Sequence, residues 1–291
     1  MAIIMFLVKV KVKKPAVVYM LNLATADVFF VSTLPFYIVY RFLGSNWVIG
    51  EGMCRFATAG FYCNMFCSIL LMTGISVDRF LAVVYPVLSL PWRTVNRAWL
   101  VCGVIWVISL ASIVPLLTID QTWKISKLDI TMCHDIQYFG IDLDFYFYYF
   151  TTVISFFFFL PLFITTFCYI GTIRSLSISK FDTHKRSRAI RLTMIVLSMF
   201  VLCFGPTNVI YLIYYVKLYK NYDRSLYIAY TLCVSISSIN CCLDPLIYYF
   251  ASTKCQRYFY SLLRWKKDPP VKRNSILKHK EEQPEKETEE A

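Results

Sequence analysis

Six stretches of the chain stay almost wholly apolar for longer than a bilayer is thick, and this constrains the fold more than any other feature. They run over Ala16–Phe42, Phe56–Tyr85, Ala98–Ile119, Phe145–Ile173, Ala189–Val216 and Leu226–Phe250. A helix of about 20 apolar residues crosses the hydrocarbon core. Inside lipid only helices and closed barrels satisfy every backbone N–H and C=O. A soluble chain of 291 residues has too small an interior for a 58% hydrophobic and 18% aromatic content. With 16% charged residues and a mean hydropathy of +0.55, disordered, collagen-like and disulfide-stapled classes are excluded as well. The expected fold class is an all-α membrane protein.

Ahead of the six windows stands Met1–Val8, apolar but too short to span, followed at once by Lys9, Lys11, Lys13 and Lys14. A signal peptide carries its positive charges before the apolar stretch. The order found here reads as the last turns of a spanning helix meeting a cytoplasmic basic flank. The expectation is a seven-helix bundle over residues 1–250, its first helix largely missing from an N-terminally truncated chain. With Lys9–Lys14 inside, alternation puts Pro86–Arg97, Arg174–Arg191 and the C-terminus inside too. Of the 30 Lys and Arg residues, only Arg41, Arg55, Lys124, Lys127, Lys217, Lys220 and Arg224 then lie outside, a strong positive-inside bias. The same clustering explains the net charge of +12 and excludes nucleic acid as a partner. Residues 251–265 are amphipathic, with Tyr258, Phe259, Leu262 and Leu263 against Lys254, Arg257 and Arg264. They suit a short helix on the cytoplasmic membrane surface. Residues 266–291, rich in Lys, Glu and Pro, are expected to be disordered.

Ionisable residues at membrane depth are expensive and therefore mark function. Asp27, in LNLATAD, and Asp244, in NCCLDPLIYY, lie deepest, with Asn64, Ser68 and Asn240 at comparable depth. Asn64 and Ser68 are four apart and share a helix face. These oxygens suit a hard cation such as Na+ at Asp27, Ser68 and Asp244, or a water-filled core. Plain helix–helix hydrogen bonding is the competing reading. Asp78 and Arg79 stand at a cytoplasmic helix end, where Arg79 can bend back toward Asp78 or simply snorkel to the interface. Pro161, Pro206 (after Gly205) and Pro245 interrupt the last three windows, as in a bundle built to bend. Cys54 and Cys133 share the outside, where an oxidising medium permits a bridge, worth roughly 4–5 kcal/mol in the chain-entropy account. His134, His184 and His279 are scattered, so no zinc constellation forms.

Taken together these motifs resemble the rhodopsin-like (class A) G-protein-coupled receptors over nearly the whole chain. Asp27 matches that family's second-span aspartate, and Cys54 and Cys133 its extracellular disulfide. DRF at Asp78–Phe80 stands for DRY, Trp106 is the fourth-span tryptophan, and Pro161 and Tyr169 match the fifth span. CFGP at Cys203–Pro206 stands for CWxP, and DPLIY at Asp244–Tyr248 for NPxxY. DRF, FGPTN, CHD and SSINCCLDPLIYY further resemble the proteinase-activated receptors of the thrombin-receptor type.

The resemblance implies a receptor, not an enzyme, whose tethered peptide is released by an extracellular protease. Ligand contacts are then expected at Tyr62, His134, Asp135, Tyr215 and Tyr230. Switch residues are expected at Asp78, Arg79, Phe200, Phe204, Pro206, Tyr169 and Tyr248. Arg79, Val87, Arg186 and Arg188 would meet a heterotrimeric G protein. Arrestin and membrane lipid are further expected partners, and the plasma membrane the expected location. No cofactor is expected beyond a bound Na+. Alternatives are another peptide-binding class A receptor, a non-functional truncated paralogue, a transporter, or an aspartyl intramembrane protease. The protease lacks its G-x-G-D segment here, and the internal repeat expected of a transporter is missing.

Overall fold

The computed structural model describes residues 14–126, 129–134, 143–178, 183–218 and 224–251. The N-terminal stub at Met1–Val8, the surface helix over 251–265 beyond Ala251, and the tail lie outside the described residues. The described chain is a helical bundle with one small hairpin. Its elements are α1 (Pro15–Phe42), α2 (Glu51–Val84), α3 (Val95–Leu117), β1 (Thr122–Ile125), β2 (Ile130–Cys133), α4 (Leu143–Ile154), α5 (Leu160–Ile178), α6 (Thr183–Met199), α7 (Gly205–Leu218), α8 (Arg224–Ser238) and α9 (Asn240–Ala251).

Local chemistry fixes most of the ends. Pro15 opens α1, where its missing N–H is not needed. The turn after α1 uses Gly44 and Ser45 at φ 67° and 63°, and Gly50 at φ 95° precedes α2, a left-handed geometry that glycine adopts at no steric cost. α2 stops just before Pro86. Thr94 caps α3, its side chain accepting from the Arg97 backbone N–H.

The outer surface is apolar as well as the core, which also holds a set of polar groups. α3, the most lipid-like helix, turns Leu100, Val107 and Val114 outward, while Asn22, Asp27, Asn64, Ser68, Asn240 and Asp244 are buried. Outward apolar and inward polar faces are those of a bundle solvated by lipid. Among the described residues, five helical segments are long and apolar enough to cross a bilayer: Pro15–Phe42, Glu51–Val84, Val95–Leu117, Tyr148–Ser177 and Ile190–Ile213. The sixth expected span, Leu226–Phe250, is not one uninterrupted helix. It breaks at Ile239, whose N–H bonds Ile236 O at 3.1 Å while its carbonyl accepts from Cys242 N at 2.9 Å. This tightened i→i−3 turn separates α8 from α9, and an apolar segment over Thr231–Ile247 runs through it.

The other two prolines lie next to widened turns. Ser155–Phe159 joins α4 to α5 in π-helical form, with Leu160 N bonding Ser155 O. Phe200–Phe204 joins α6 to α7 likewise, with Gly205 N bonding Phe200 O. Each widened turn lets the helix continue into a residue that has no N–H and whose ring crowds the preceding turn. Pro35 and Pro115, which sequence reasoning passed over, also sit inside α1 and α3 and leave both continuous.

A lid covers one end of the bundle. β1 and β2 pair antiparallel, with Thr122 opposite Cys133 and Ile125 opposite Ile130. The expected Cys54–Cys133 disulfide is present, with Cα atoms 5.7 Å apart, and ties the lid to the first turn of α2. Glu51 reinforces it. Its Oε1 accepts from Gln121 N at 2.8 Å and Arg55 Nε at 2.7 Å, and its Oε2 accepts from Thr122 N at 2.8 Å and the Thr122 hydroxyl. Trp47 N reaches Thr131 O at 2.7 Å, so the α1–α2 turn holds the hairpin's other strand.

Candidate functional site: a pocket, a polar core and an ion-paired mouth

Beneath the lid lies a cavity of about 470 Å³ bounded by α1, α2, α7, α8 and the end of β2, a size suited to a ligand group. Phe30, Tyr37 and Phe61 form much of its apolar wall, with His134 and Tyr211 among its polar groups. His134 stands at φ +55° and is the centre of a relay. Its Nδ1 faces Gln121 Oε1 at 2.7 Å, its Nε2 faces the Tyr62 hydroxyl at 2.9 Å, and that hydroxyl meets the Tyr211 hydroxyl at 2.9 Å.

The direction of the relay follows from Gln121. Its Nε2 donates to Leu116 O at 2.7 Å and Ile119 O at 2.9 Å, which leaves Oε1 for the histidine. An oxygen acceptor there places the proton on Nδ1, so Nε2 accepts from Tyr62 and Tyr62 accepts from Tyr211. Burial pulls the His134 imidazole down to about 4, so the ring is neutral at physiological pH. The Tyr211 ring also stacks on Phe150 of α4, with centroids 5.6 Å apart and planes at 11°. One hydroxyl chain thus joins the lid, α2 and α7.

Tyr62 and His134 are therefore brought together. Tyr215 and Tyr230 lie on α7 and α8, with side chains outside the described residues, and Asp135 lies outside them altogether. Sequence reasoning missed Gln121, Tyr211 and Glu51. Tyr211 was within reach, being four residues before Tyr215 on the same helix. Gln121 has no local signal.

Deeper in the bundle, the five expected core residues converge from α1, α2 and α9. Asn240 Nδ2 donates to Asp244 Oδ2 at 3.2 Å, and Ser68 Oγ bonds Asn64 Oδ1 at 3.4 Å. The Asp27 and Asp244 carboxyls are close neighbours, and Cys241 lies beside both. Cys241 had not been singled out; it further accepts from Asn64 Nδ2 at 3.5 Å. Asn240 Oδ1 and Asp244 Oδ1 are buried and accept no hydrogen bond among the described residues. Buried carboxyls in contact need a shared proton or a cation, and inward oxygens without donors suit a hard cation. Phe200 and Phe204 lie next to this core at the π-helical turn, both buried, with centroids 6.2 Å apart in an edge-to-face pair. Thr207 Oγ1 crosses from α7 to Cys233 O of α8 at 2.7 Å.

At the end of α2 away from the lid, Asp78 is buried and Arg79 reaches its Oδ2 at 3.4 Å. Arg93, from the loop between α2 and α3, binds the same carboxylate through two nitrogens, a partner the sequence did not suggest. Val87 stands on that loop, 75% exposed. Tyr169 of α5 bonds Met194 Sδ of α6. Arg186, Arg188 and Tyr248 fall on α6 and α9 with side chains outside the described residues.

Comparison with known proteins bears on this arrangement. Residues 1–248 match the family described as 7 transmembrane receptor (rhodopsin family). The chain is 58% identical over 264 residues to proteinase-activated receptor 1 of Xenopus laevis and 54% identical over 265 residues to that of Homo sapiens. Each match covers 90% of this chain and 62% of the relative, so the chain spans about three-fifths of these relatives' length. It is also 37% identical over 260 residues to a purinoceptor of Gallus gallus, covering 88% of the chain and 72% of that relative.

Proposed function

The chain belongs to the rhodopsin family of seven-transmembrane receptors, a family of receptors and not of enzymes, and from that premise we propose that it carries a signal from a proteinase-released peptide to a heterotrimeric G protein. The observation that carries this reading is the hydroxyl relay under the lid. It reaches Tyr211, seven residues further along the chain than Phe204. A ligand that takes the place of one relay partner changes the hydrogen bonding of α7 at its outer end.

A ligand shifts an equilibrium only by its differential affinity for the two states. Here the bistable element is the run from Phe200 to Pro206, where the backbone already departs from α geometry. Rotation there repacks Phe200 and Phe204, rearranges the carboxyls at Asp27 and Asp244, and opens the cytoplasmic ends of α6 and α9. Arg79 then leaves Asp78 for the G protein, which Val87, Arg186 and Arg188 help to bind. A Na+ ion held by Asp27, Ser68 and Asp244 would supply positive charge that favours the closed bundle. The inward oxygens of Asn240 and Asp244 support that fit. Identity above 50% to the proteinase-activated relatives supports the peptide as ligand, with Asp135, Tyr215 and Tyr230 as further contacts. Arrestin as a second partner, lipid around the outward apolar faces, and a plasma-membrane location with a cytoplasmic C-terminus belong to the same proposal.

The test is guanine-nucleotide exchange in membranes carrying the chain together with a G protein. Arg79→Ala is expected to abolish the receptor-dependent rate without removing the receptor from the membrane. A rate unchanged by that substitution refutes the proposed coupling.

A further inference from the structure

Asp78 is only 5% exposed, and both its oxygens are engaged. Arg93 Nε binds Oδ1 at 2.9 Å and Arg93 Nη2 binds Oδ2 at 3.2 Å, whereas Arg79 touches Oδ2 alone at 3.4 Å. The loop is folded to present that fork. Arg93 N bonds Ser89 O at 2.9 Å, Ser89 N bonds Tyr85 O at 3.0 Å, and Ser89 Oγ reaches back to Leu81 O of α2 at 3.1 Å. Trp92, beside it, lies under the Arg97 guanidinium at 4.6 Å.

Two arginines on one carboxylate have different consequences. A two-nitrogen fork is the stronger geometry, and arginine alone among cationic side chains provides it. Removing the partner of a buried charge is strongly destabilising because the charge is left uncompensated. A carboxylate held on both oxygens by one arginine can lose a second arginine without that penalty.

We propose that Arg93 is a positioning residue for signalling: by keeping Asp78 satisfied, it lowers the cost of releasing Arg79. This rests on the reading of Arg79 as the G-protein contact. Without Arg93, Arg79 becomes the cation left to compensate Asp78 among the described residues. It is also relieved of repulsion from a second guanidinium, so it is held more tightly. A plain lock, in which every contact to Asp78 restrains signalling, gives the opposite sign.

The test measures nucleotide exchange on a panel of purified heterotrimers, using vesicles that carry the full chain. The forms are wild type, Arg93→Ala, Arg93→Lys, Asp78→Asn and the Arg93→Ala/Asp78→Asn double variant. Hydrogen exchange over residues 85–94 in the same vesicles follows the loop and needs no G protein. Arg93→Ala is expected to slow nucleotide exchange about 10-fold, or ~1.4 kcal/mol. Arg93→Lys, which keeps the charge without the fork, is expected to slow it less. Asp78→Asn, which removes the charge that holds Arg79, should speed it, and the double variant should recover the Asp78→Asn rate, because a neutral amide strands no charge. Hydrogen exchange of the loop should rise in Arg93→Ala and in Asp78→Asn alike.

A double variant as slow as Arg93→Ala would reduce Arg93 to a loop brace and overturn the inference. So would an Arg93→Ala form at or above the wild-type rate, or a loop indifferent to both substitutions. If Arg93→Ala fails to reach the vesicles, Arg93→Lys against Arg93→Lys/Asp78→Asn carries the same comparison. Silence of every form, Asp78→Asn included, would overturn the proposed coupling to G proteins itself.

Discussion

Tyr62 occupies the middle of the hydroxyl relay, and that position makes a quantitative claim. It donates to His134 Nε2 at 2.9 Å and accepts from Tyr211 at 2.9 Å, with its own exposure 1% and that of Tyr211 2%. Tyr211→Phe removes the donor to the Tyr62 hydroxyl. Tyr62 keeps its bond to His134 and no buried donor is orphaned, so the loss is that of one net hydrogen bond, about 1 kcal/mol. Tyr62→Phe removes both bonds at once and leaves the buried His134 Nε2 without the Tyr62 hydroxyl. The second lost bond adds about 1 kcal/mol and the unsatisfied imidazole nitrogen about 1–3 kcal/mol, for a combined loss of roughly 2–4 kcal/mol.

Either substitution already removes the Tyr62–Tyr211 bond, so in Tyr62→Phe/Tyr211→Phe the loss should be smaller than the sum of the two single losses. The assay is thermal unfolding of purified receptor followed with a thiol-reactive dye. Cys63, Cys67, Cys102, Cys168 and Cys203 are buried and free, and they report loss of packing directly. Equal destabilisation by the two single variants, or simple additivity in the double, would refute the direction assigned to the relay.

Three further outcomes follow from the same geometry. Because burial holds the His134 imidazole down at about 4 against an ordinary value of 6.5, the unfolded chain binds more protons between those pH values. Stability is therefore complete above about pH 6.5 and falls as pH drops toward 4, by about 3 kcal/mol at most. An unfolding series across pH should show this slope, and His134→Asn, which tolerates the positive φ, should flatten it. Glu51→Gln puts an NH2 against backbone donors and removes a charge from four hydrogen bonds, at about 2–3 kcal/mol. Hydrogen exchange at Thr122–Ile125 should then rise while the disulfide still tethers Cys133. Gly60→Ala would place a Cβ 2.6 Å from Thr33 Cγ2 at the α1–α2 contact. Thr33 is fully buried, with its hydroxyl bonded to Phe30 O, so it cannot turn away freely. An overpacking cost of about 1–3 kcal/mol is expected in thermal unfolding, and adding Thr33→Ser, which deletes Cγ2, should recover most of it.

What the sequence by itself determined is whatever depends on one stretch of chain at a time. Apolar run length placed the spans, since a backbone in lipid must close its hydrogen bonds within the segment. Pro161 and Pro206 marked departures from α geometry beside them, because a residue with no N–H disturbs its own turn wherever the helix sits. Asp27, Asn64, Ser68, Asn240 and Asp244 stood out because polarity at that depth is costly, and their convergence was legible from the family resemblance. The break at Ile239 was not legible as such, being six residues from the nearest proline and fixed by how α8 and α9 pack.

The tertiary structure alone decided which distant polar groups meet. Tyr62 and Tyr211 are 149 residues apart, His134 and Gln121 face each other only across the paired hairpin, and Arg93 finds Asp78 only because Ser89 folds its loop back onto Leu81. A hydrogen bond is satisfied or lost over a few tenths of an ångström. Helix packing sets distances on that scale, and the spacing of residues along the chain does not.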